Sequence, residues 1–257
     1  MMMANVKKII DENKGIRENP YAAAAGALGV FIVIAFTIVS VTAYKIKALD
    51  NTLTTTGSAK VEVKSDLAKW RINFSRTVTE DDMKSGVREM ESDLNTIKDF
   101  LKDNGISESE YSVSTMNSGK IYEYEKSGSK GPDRYTFNQS VEVKSNDIAK
   151  IKAVANNTKP LFESGILVNP GSPEYYYTPL SEKRIELIGE AVKDARKRAE
   201  MIAGSDNSKV GSLRSSSIGV TQVLAPNSVD ISDYGTYDTS TEDKEIMLTV
   251  RAVFSIK

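Results

Sequence analysis

The stretch SAKVEVKSDLAKWRINFSRTV (58–78) runs directly into TEDDMKSGVREMESDLNTIKDFLKDNG (79–105), and the hydrophobic period changes where the two meet. Ala59, Val61 and Val63 alternate with polar residues, and Trp70, Ile72 and Phe74 keep the same period of two, as one face of a strand does. Ser65-Asp66 reads as the turn between two strands. Beyond it Met83, Val87, Met90, Leu94, Ile97 and Leu101 recur at four and three, the spacing of a one-faced helix. Thr79 is the expected N-cap, with Glu80, Asp81 and Asp82 in a first turn whose unpaired N–H groups favour acids. Lys98 and Lys102 stand near its end, and Gly105 closes it. Two strands feeding such a helix are the pattern of an α+β layer.

The same alternation continues downstream. YSVSTMNSGKIYEYE (111–125) and RYTFNQSVEVK (134–144) are strand-like, separated by the turn-forming KSGSKGPD (126–133). A shorter helix is expected from Asp147 to Thr158, stopped by Pro160, and LFESGILVNPGSPEYYY (161–177) reads as strand, break, strand. Strand-helix-strand thus occurs twice, a split βαβ arrangement with helices on one face of a mixed or antiparallel sheet. No glycine-rich turn links a strand to a helix, which argues against a doubly wound nucleotide-binding fold. The last helix is capped by Thr178, takes Pro179 in its first turn, carries Ile185, Ile188, Val192, Ala195, Ala199 and Ile202 along one seam, and ends at Gly204. KVGSLRSSSIGVTQVL (209–224) and KEIMLTVRAVFSIK (244–257) complete the chain as strands, the latter turning Ile246, Leu248, Val250, Ala252 and Phe254 toward the core. The polar, acidic loop between them, Ala225 to Asp243, is expected to be mobile.

Ahead of all this lies YAAAAGALGVFIVIAFTIVSVTAY (21–44), without a charge in a chain that is 27% charged. At helical rise it spans roughly 36 Å, enough to cross the roughly 30 Å of bilayer hydrocarbon with some tilt. A soluble core helix keeps a polar face, whereas Val30 to Val39 offers only Thr37. Tyr21 and Tyr44 bracket the run at interfacial depth, and Lys7, Lys8, Lys14 and Arg17 before it outnumber Lys45 and Lys47 after it, which favours a cytoplasmic N-terminus. The rival is a signal peptide cut after Val41-Thr42-Ala43, although its apolar region would exceed the usual 7 to 15 or so residues. Either way the rest is exported. The expected organisation is a cytoplasmic leader (1–20), a transmembrane signal anchor (21–44), a stalk (45–52) and an extracytoplasmic, periplasmic α+β domain (53–257).

Composition excludes several chemistries. The net charge is -1, and the leader's own excess of one positive charge leaves about -2 for the remainder, so nucleic acid is not an expected partner. Without cysteine there is no disulfide framework, thiolate nucleophile or lipid-attachment site, and without histidine no imidazole to act near neutrality.

Three stretches together resemble the SIMPL-domain family of exported bacterial proteins, which includes a similar eukaryotic member named for interacting with a kinase. In TTTGSAKVEVKSDLA (54–68), Gly57, Asp66 and Ala68 match the family's opening strand, glycine, strand and Pro-Asp-x-Ala turn, with Ser65 where the family usually has proline. In EAVKDARKRAEMIAG (190–204), Ala191, Val192, Asp194, Ala195, Arg196, Ala199, Glu200 and Ala203 match its most recognisable helix, and EIMLTVRAVFSIK (245–257) resembles its ending. The resemblance implies an α+β domain able to assemble into large rings, an envelope location and links to stress tolerance or immunogenicity. It implies no catalytic residue, cofactor or metal, and none is assigned.

Individual candidates have plain structural readings beside the functional ones. Asp66 is a binding-surface acid or a turn aspartate; Asp194, Arg196 and Arg198 make subunit contacts or are solvated charges. Asp230, Asp233, Asp238, Glu242 and Asp243 collect calcium or simply line a loop lacking the ligand spacing of an EF-hand. Tyr175, Tyr176 and Tyr177 face a sugar or a protein, or alternate between core and surface. Ser127 with Lys130, and Ser215 to Ser217, have no histidine to activate them. The expectation is therefore a non-enzymatic, membrane-anchored protein acting through homo-oligomeric assembly and contact with an unidentified protein partner. The competing expectation is an envelope hydrolase or small-ligand module with a carboxylate-lined cleft.

Overall fold

A computed structural model describes residues 20–49, 51–121 and 132–257. The first element, α1 (Pro20–Leu49), contains one segment long and apolar enough to cross a membrane, Ala24–Lys47, with a mean hydropathy of 2.5 and none of it buried by protein. The helix outlasts the uncharged run by a turn, so most of the segment read as a stalk is helical, and β1 (Thr52–Lys64) begins almost at once.

The remaining elements are β2 (Leu67–Thr79), α2 (Met83–Asp103), a 3-10 turn at Glu108–Glu110, β3 (Tyr111–Val113), β4 (Asn117–Ile121), β5 (Arg134–Ser145), α3 (Ile148–Asn156), α4 (Lys159–Glu163), β6 (Val168–Pro170), β7 (Glu174–Tyr176), α5 (Leu180–Gly204), β8 (Val210–Ile218), β9 (Gln222–Leu224) and β10 (Asp243–Ile256). They form two sheets. One has the order β3-β5-β2-β6, with β4 also on β5 and β7 also on β2; the other has the order β1-β10-β8, with β9 also on β10. The pairs β2–β5, β2–β6, β2–β7, β3–β5, β4–β5 and β9–β10 are all antiparallel, as an α+β reading requires. The chain divides into two compact units, one made of 1–55, 196–216 and 252–257, the other of 56–195 and 217–251.

The larger unit holds two cores. In the first, Trp70, Ile72 and Phe74 of β2 and Phe137, Val141 and Val143 of β5 point to the side covered by Met90, Ile97 and Leu101 of α2 and Ile151 of α3. Their alternation is set by the β2–β5 register, unbroken from Ala68↔Ser145 to Thr79↔Arg134. In the second, Ala59 meets Leu187 and Ala191 of α5 and Ile246, Leu248 and Val250 of β10.

Four local expectations are corrected. Thr79 does not cap α2: β2 stays paired through Thr79, and the helix begins after Asp82, whose Oδ2 accepts a 2.7 Å hydrogen bond from Thr79 Oγ1. The buried stripe of α2 is rotated so that Gly86, Asp93 and Phe100 lie on it while Val87 is exposed; Asp93 is buried because Arg76 on the inner face of β2 grips both its oxygens at 2.5 and 2.8 Å. Pro160 starts α4 rather than ending the chain's helical run, since proline fits a first turn, and Leu161 to Glu163 are therefore helix and not strand. On α5 the buried seam is Leu187, Ala191, Ala195, Ala199 and Ala203, with Ile185 and Ile202 exposed; the alanines win the inner face because they let a neighbouring backbone come close.

Candidate functional site

The residues that carry the family likeness work as joints. Gly57 lies on the inward face of β1, where a Cβ would stand 2.2 Å from the Ala191 carbonyl oxygen and 2.3 Å from the Ala195 nitrogen. One residue on, the Ser58 N–H donates to Asp194 Oδ2 at 2.8 Å, so strand and helix are locked in register by a glycine contact and a hydrogen bond. Arg196 donates to the Gly211 carbonyl at 3.1 Å and lies 5.0 Å from the Phe254 ring; Arg198 is exposed on α5. Asp66 does not satisfy its own turn. Its carboxylate accepts from the Thr178 N–H at 2.7 Å and the Thr178 hydroxyl at 2.5 Å, holding the entry to α5 from another segment. Thr178 is thus not itself the cap; the first helical bond runs from Lys183 N–H to the Pro179 carbonyl. Ser65, in the family's proline position, donates its N–H to the Glu242 carbonyl at 2.9 Å, while its buried hydroxyl has no partner among the described residues.

The acidic loop is tied down by hydrogen bonds where it approaches β10. Asp238 accepts hydrogen bonds from the Ser240 hydroxyl at 2.6 Å, the Thr241 N–H at 3.0 Å and the Thr241 hydroxyl. Lys244, wholly buried, donates to the Asp238 carbonyl at 2.6 Å, the Thr241 carbonyl at 2.7 Å and Asp238 Oδ2 at 3.3 Å. Burial alone would raise the Asp238 carboxyl, but the hydroxyl and N–H donors hold it well below the usual range; burial pushes the Lys244 ammonium down, opposed by Asp238. Glu242 turns instead to Lys64 at 3.0 Å, and among the described residues no three acidic side chains gather as a metal would need.

The tyrosines separate as a strand would separate them. Tyr175 is buried, whereas Tyr176 faces out, its ring 5.9 Å from that of Tyr237 and under Lys69 Nζ at 4.8 Å. The Tyr176 hydroxyl donates to Glu174 at 2.6 Å, which with burial raises it to about 12. The Tyr177 N–H donates to the Tyr237 hydroxyl at 2.9 Å. Ser127 and Lys130 lie outside the described residues; Ser215 to Ser217 are exposed on β8.

A second buckle lies at Glu110, which accepts from Ser145 Oγ at 2.6 Å, the Ser107 N–H at 3.0 Å and Lys150 Nζ at 3.0 Å. These donors, Ser145 foremost, hold its carboxyl down to about 2. Its contribution to stability is therefore complete above the unfolded value of about 4.3 and is lost as pH falls toward the folded one. Glu110→Gln should be less stable than the parent at pH 7, with the gap closing between about pH 4.3 and about 2 in denaturation followed by the fluorescence of the single tryptophan, Trp70.

Open surfaces remain as well. On the outer face of the β2 sheet a cleft of about 480 Å³ is lined by Asn73, Ser75, Asn117, Asn138, Ser140 and Asn169 among others, with no charged residue. The edge strand β8 is exposed at every residue from Ser212 to Ile218, Leu213 and Ile218 included. Polarity at alternate positions of β2 and β5 marks the outer face, but which neutral side chains converge depends on pairing partners far away in sequence. The clefts at Asn73, at Leu180 and at Gly219 carry one acid between them, Asp233.

The fold and these joints define an α+β domain of antiparallel sheets behind one helix of membrane-spanning length. The family model described as "Protein of unknown function (DUF541)", SIMPL, matches residues 53–254, and the chain belongs to that family. Comparison with curated proteins finds no match.

Proposed function

We propose that this chain is a membrane-anchored protein whose SIMPL domain lies on the extracytoplasmic side and acts by assembling with further copies of itself and by protein contact, as a structural element of the envelope under stress. The observation that carries the reading is the edge strand β8. An uncovered edge offers a row of N–H and C=O groups to another chain, and natural edges are usually blunted by lysine, proline or a cover. From Ser212 to Ile218 the side chains are exposed and include one charge, Arg214, beside Leu213 and Ile218. The helix Ala24–Lys47, uncharged as far as Tyr44, supports retention in a bilayer, which would concentrate copies on one surface. The lysines and arginine ahead of it support a cytoplasmic N-terminus. No reaction is assigned.

The test uses the full chain in detergent micelles. Light scattering corrected for detergent should give a multimer, and Leu213→Lys with Ile218→Lys should reduce it to monomer without changing the circular dichroism spectrum. Monomer at every concentration of the parent chain would overturn assembly. A reporter fused after Lys257 that is reached only from the cytosol would overturn the location.

A further inference from the structure

The cleft on the outer face of the β2 sheet has a chemistry of its own. In the β2–β5–β6 register Asn73 stands opposite Ser140 on one side and Asn169 on the other. Two residues along, Ser75 stands opposite Asn138, itself opposite Asn117 of β4. Side chains on one face of a sheet repeat about 7 Å along a strand and about 5 Å across strands. The result is two rows of three, all amide or hydroxyl.

Among the described residues the side chains of Ser75, Asn117, Asn138, Ser140 and Asn169 make no hydrogen bond, and Asn73 makes one long contact of 3.5 Å, to the Asn169 carbonyl. Each free amide presents two N–H donors beside a carbonyl acceptor, so the lattice can serve hydroxyls that both give and take. Charge stops at the border: Arg71 and Glu142, the next pair along the same face, neutralise each other at 2.5 Å. Leu167, two-thirds exposed, adds an apolar surface at the rim.

These features select among ligands. A phosphate, carboxylate or ammonium group would find no counter-charge. An extended peptide lying along the floor of the cleft would find no ladder on β2, whose backbone groups are already paired to β5 on one side and to β6 at Ile72, Asn73 and Phe74 on the other. What fits is an uncharged chain dense in hydroxyl or acetamido groups, with C–H faces for Leu167.

We propose that this cleft binds a neutral glycan, with Asn73, Asn138 and Asn169 as the principal contacts. The site is independent of β8 and of assembly. Weak, millimolar-to-micromolar affinity suits an open, wet surface, and repetition of the site on neighbouring copies would raise it by avidity.

The experiment is titration of the full chain in detergent micelles with chitohexaose and cellohexaose, followed by saturation-transfer NMR and calorimetry, with polygalacturonate as the anionic control. Saturable binding of at least one neutral hexasaccharide is expected, little changed between 50 and 500 mM salt, and at least tenfold weaker in Asn73→Ala/Asn138→Ala. Arg71→Gln, outside the cleft, should bind as the parent does. Absence of binding to either neutral oligosaccharide at 10 mM, equal binding by the double variant, or preference for polygalacturonate with strong salt dependence would each overturn the proposal. Circular dichroism and Trp70 emission establish that the variants are folded; as the altered side chains are on the solvent face, both spectra should match the parent's.

Discussion

Gly57→Ala is expected to cost at least about 3 kcal/mol, the upper part of the range for overpacking and a large share of the roughly 5–15 kcal/mol by which a domain is stable. The added methyl carbon would lie 2.2 Å from the Ala191 carbonyl oxygen, 2.3 Å from the Ala195 nitrogen and 2.8 Å from its Cα, backbone atoms that no rotamer change can move. Relief requires α5 to retreat from β1, which also stretches the 2.8 Å hydrogen bond from Ser58 to Asp194 and opens the contact between Ala59 and Ala191. Gly189→Ala is the matched control. It sits on the exposed face of the same helix with nothing within 4 Å of its would-be Cβ, so the ordinary gain of replacing a helical glycine, about 0.5–1 kcal/mol, should appear as stabilisation. Denaturant unfolding of the full chain in micelles, read by Trp70 fluorescence, measures both. Equal and small effects would mean that the β1–α5 contact is looser than described.

Asp238→Ala is expected to be the second severe change. Removing one partner of a buried pair leaves the other charge uncompensated, typically at about 3–5 kcal/mol. Lys244 would keep the Asp238 and Thr241 carbonyls, at 2.6 and 2.7 Å, but lose its counter-ion while wholly buried. The lysine can then escape the penalty only by giving up its proton, so the variant should grow more stable as pH rises from 7 to 10. The sign follows because the unfolded chain, with an ordinary lysine near 10.4, binds more protons than the folded one over that range. Lys244→Met should be milder, since Asp238 retains its bonds from Ser240 and Thr241. A pH-independent loss in Asp238→Ala would refute this account of the buried lysine. Because the pair ties the acidic loop to the start of β10, the alanine variant should also exchange faster the amide protons of Thr236 and residue 238, which donate to Gln222 Oε1 and to the Val223 carbonyl.

How far each feature was legible follows from how local its cause is. The alternation at Trp70, Ile72 and Phe74, and at Ile246, Leu248 and Val250, predicts strands whose buried faces agree with the structure residue by residue. Period two survives because each strand has one wet and one dry face. Helix phase was harder. Val87 and Ile185 fit a hydrophobic stripe yet point to water, and Gly86, Asp93 and Ala203 lie inside. In those places the facing surface, not hydrophobicity, chose the residue: Asp93 has Arg76 to pair with, and Gly86 has Val78 against it.

Capping and loop anchoring depend on distant partners in the same way. Thr79 and Thr178 each stand where a cap is expected, but one is held in the β2–β5 ladder and the other is gripped by Asp66, 112 residues away. The acidic loop looks solvated by composition. What anchors it is a lysine that follows it directly but becomes a buried cation only once β10 is in the sheet.

Sequence alone determined the membrane-length helix, most of the succession of strands and helices, and the family, because hydropathy, period and motif order are properties of neighbouring residues. Tertiary structure decided why Gly57 cannot change, where Asp66 spends its carboxylate, and that Asn73, Asn138 and Asn169 face one cleft. Those depend on partners far along the chain, Asn169 being 96 residues from Asn73, Thr178 112 from Asp66 and Asp194 136 from Ser58, and no local pattern carries that information.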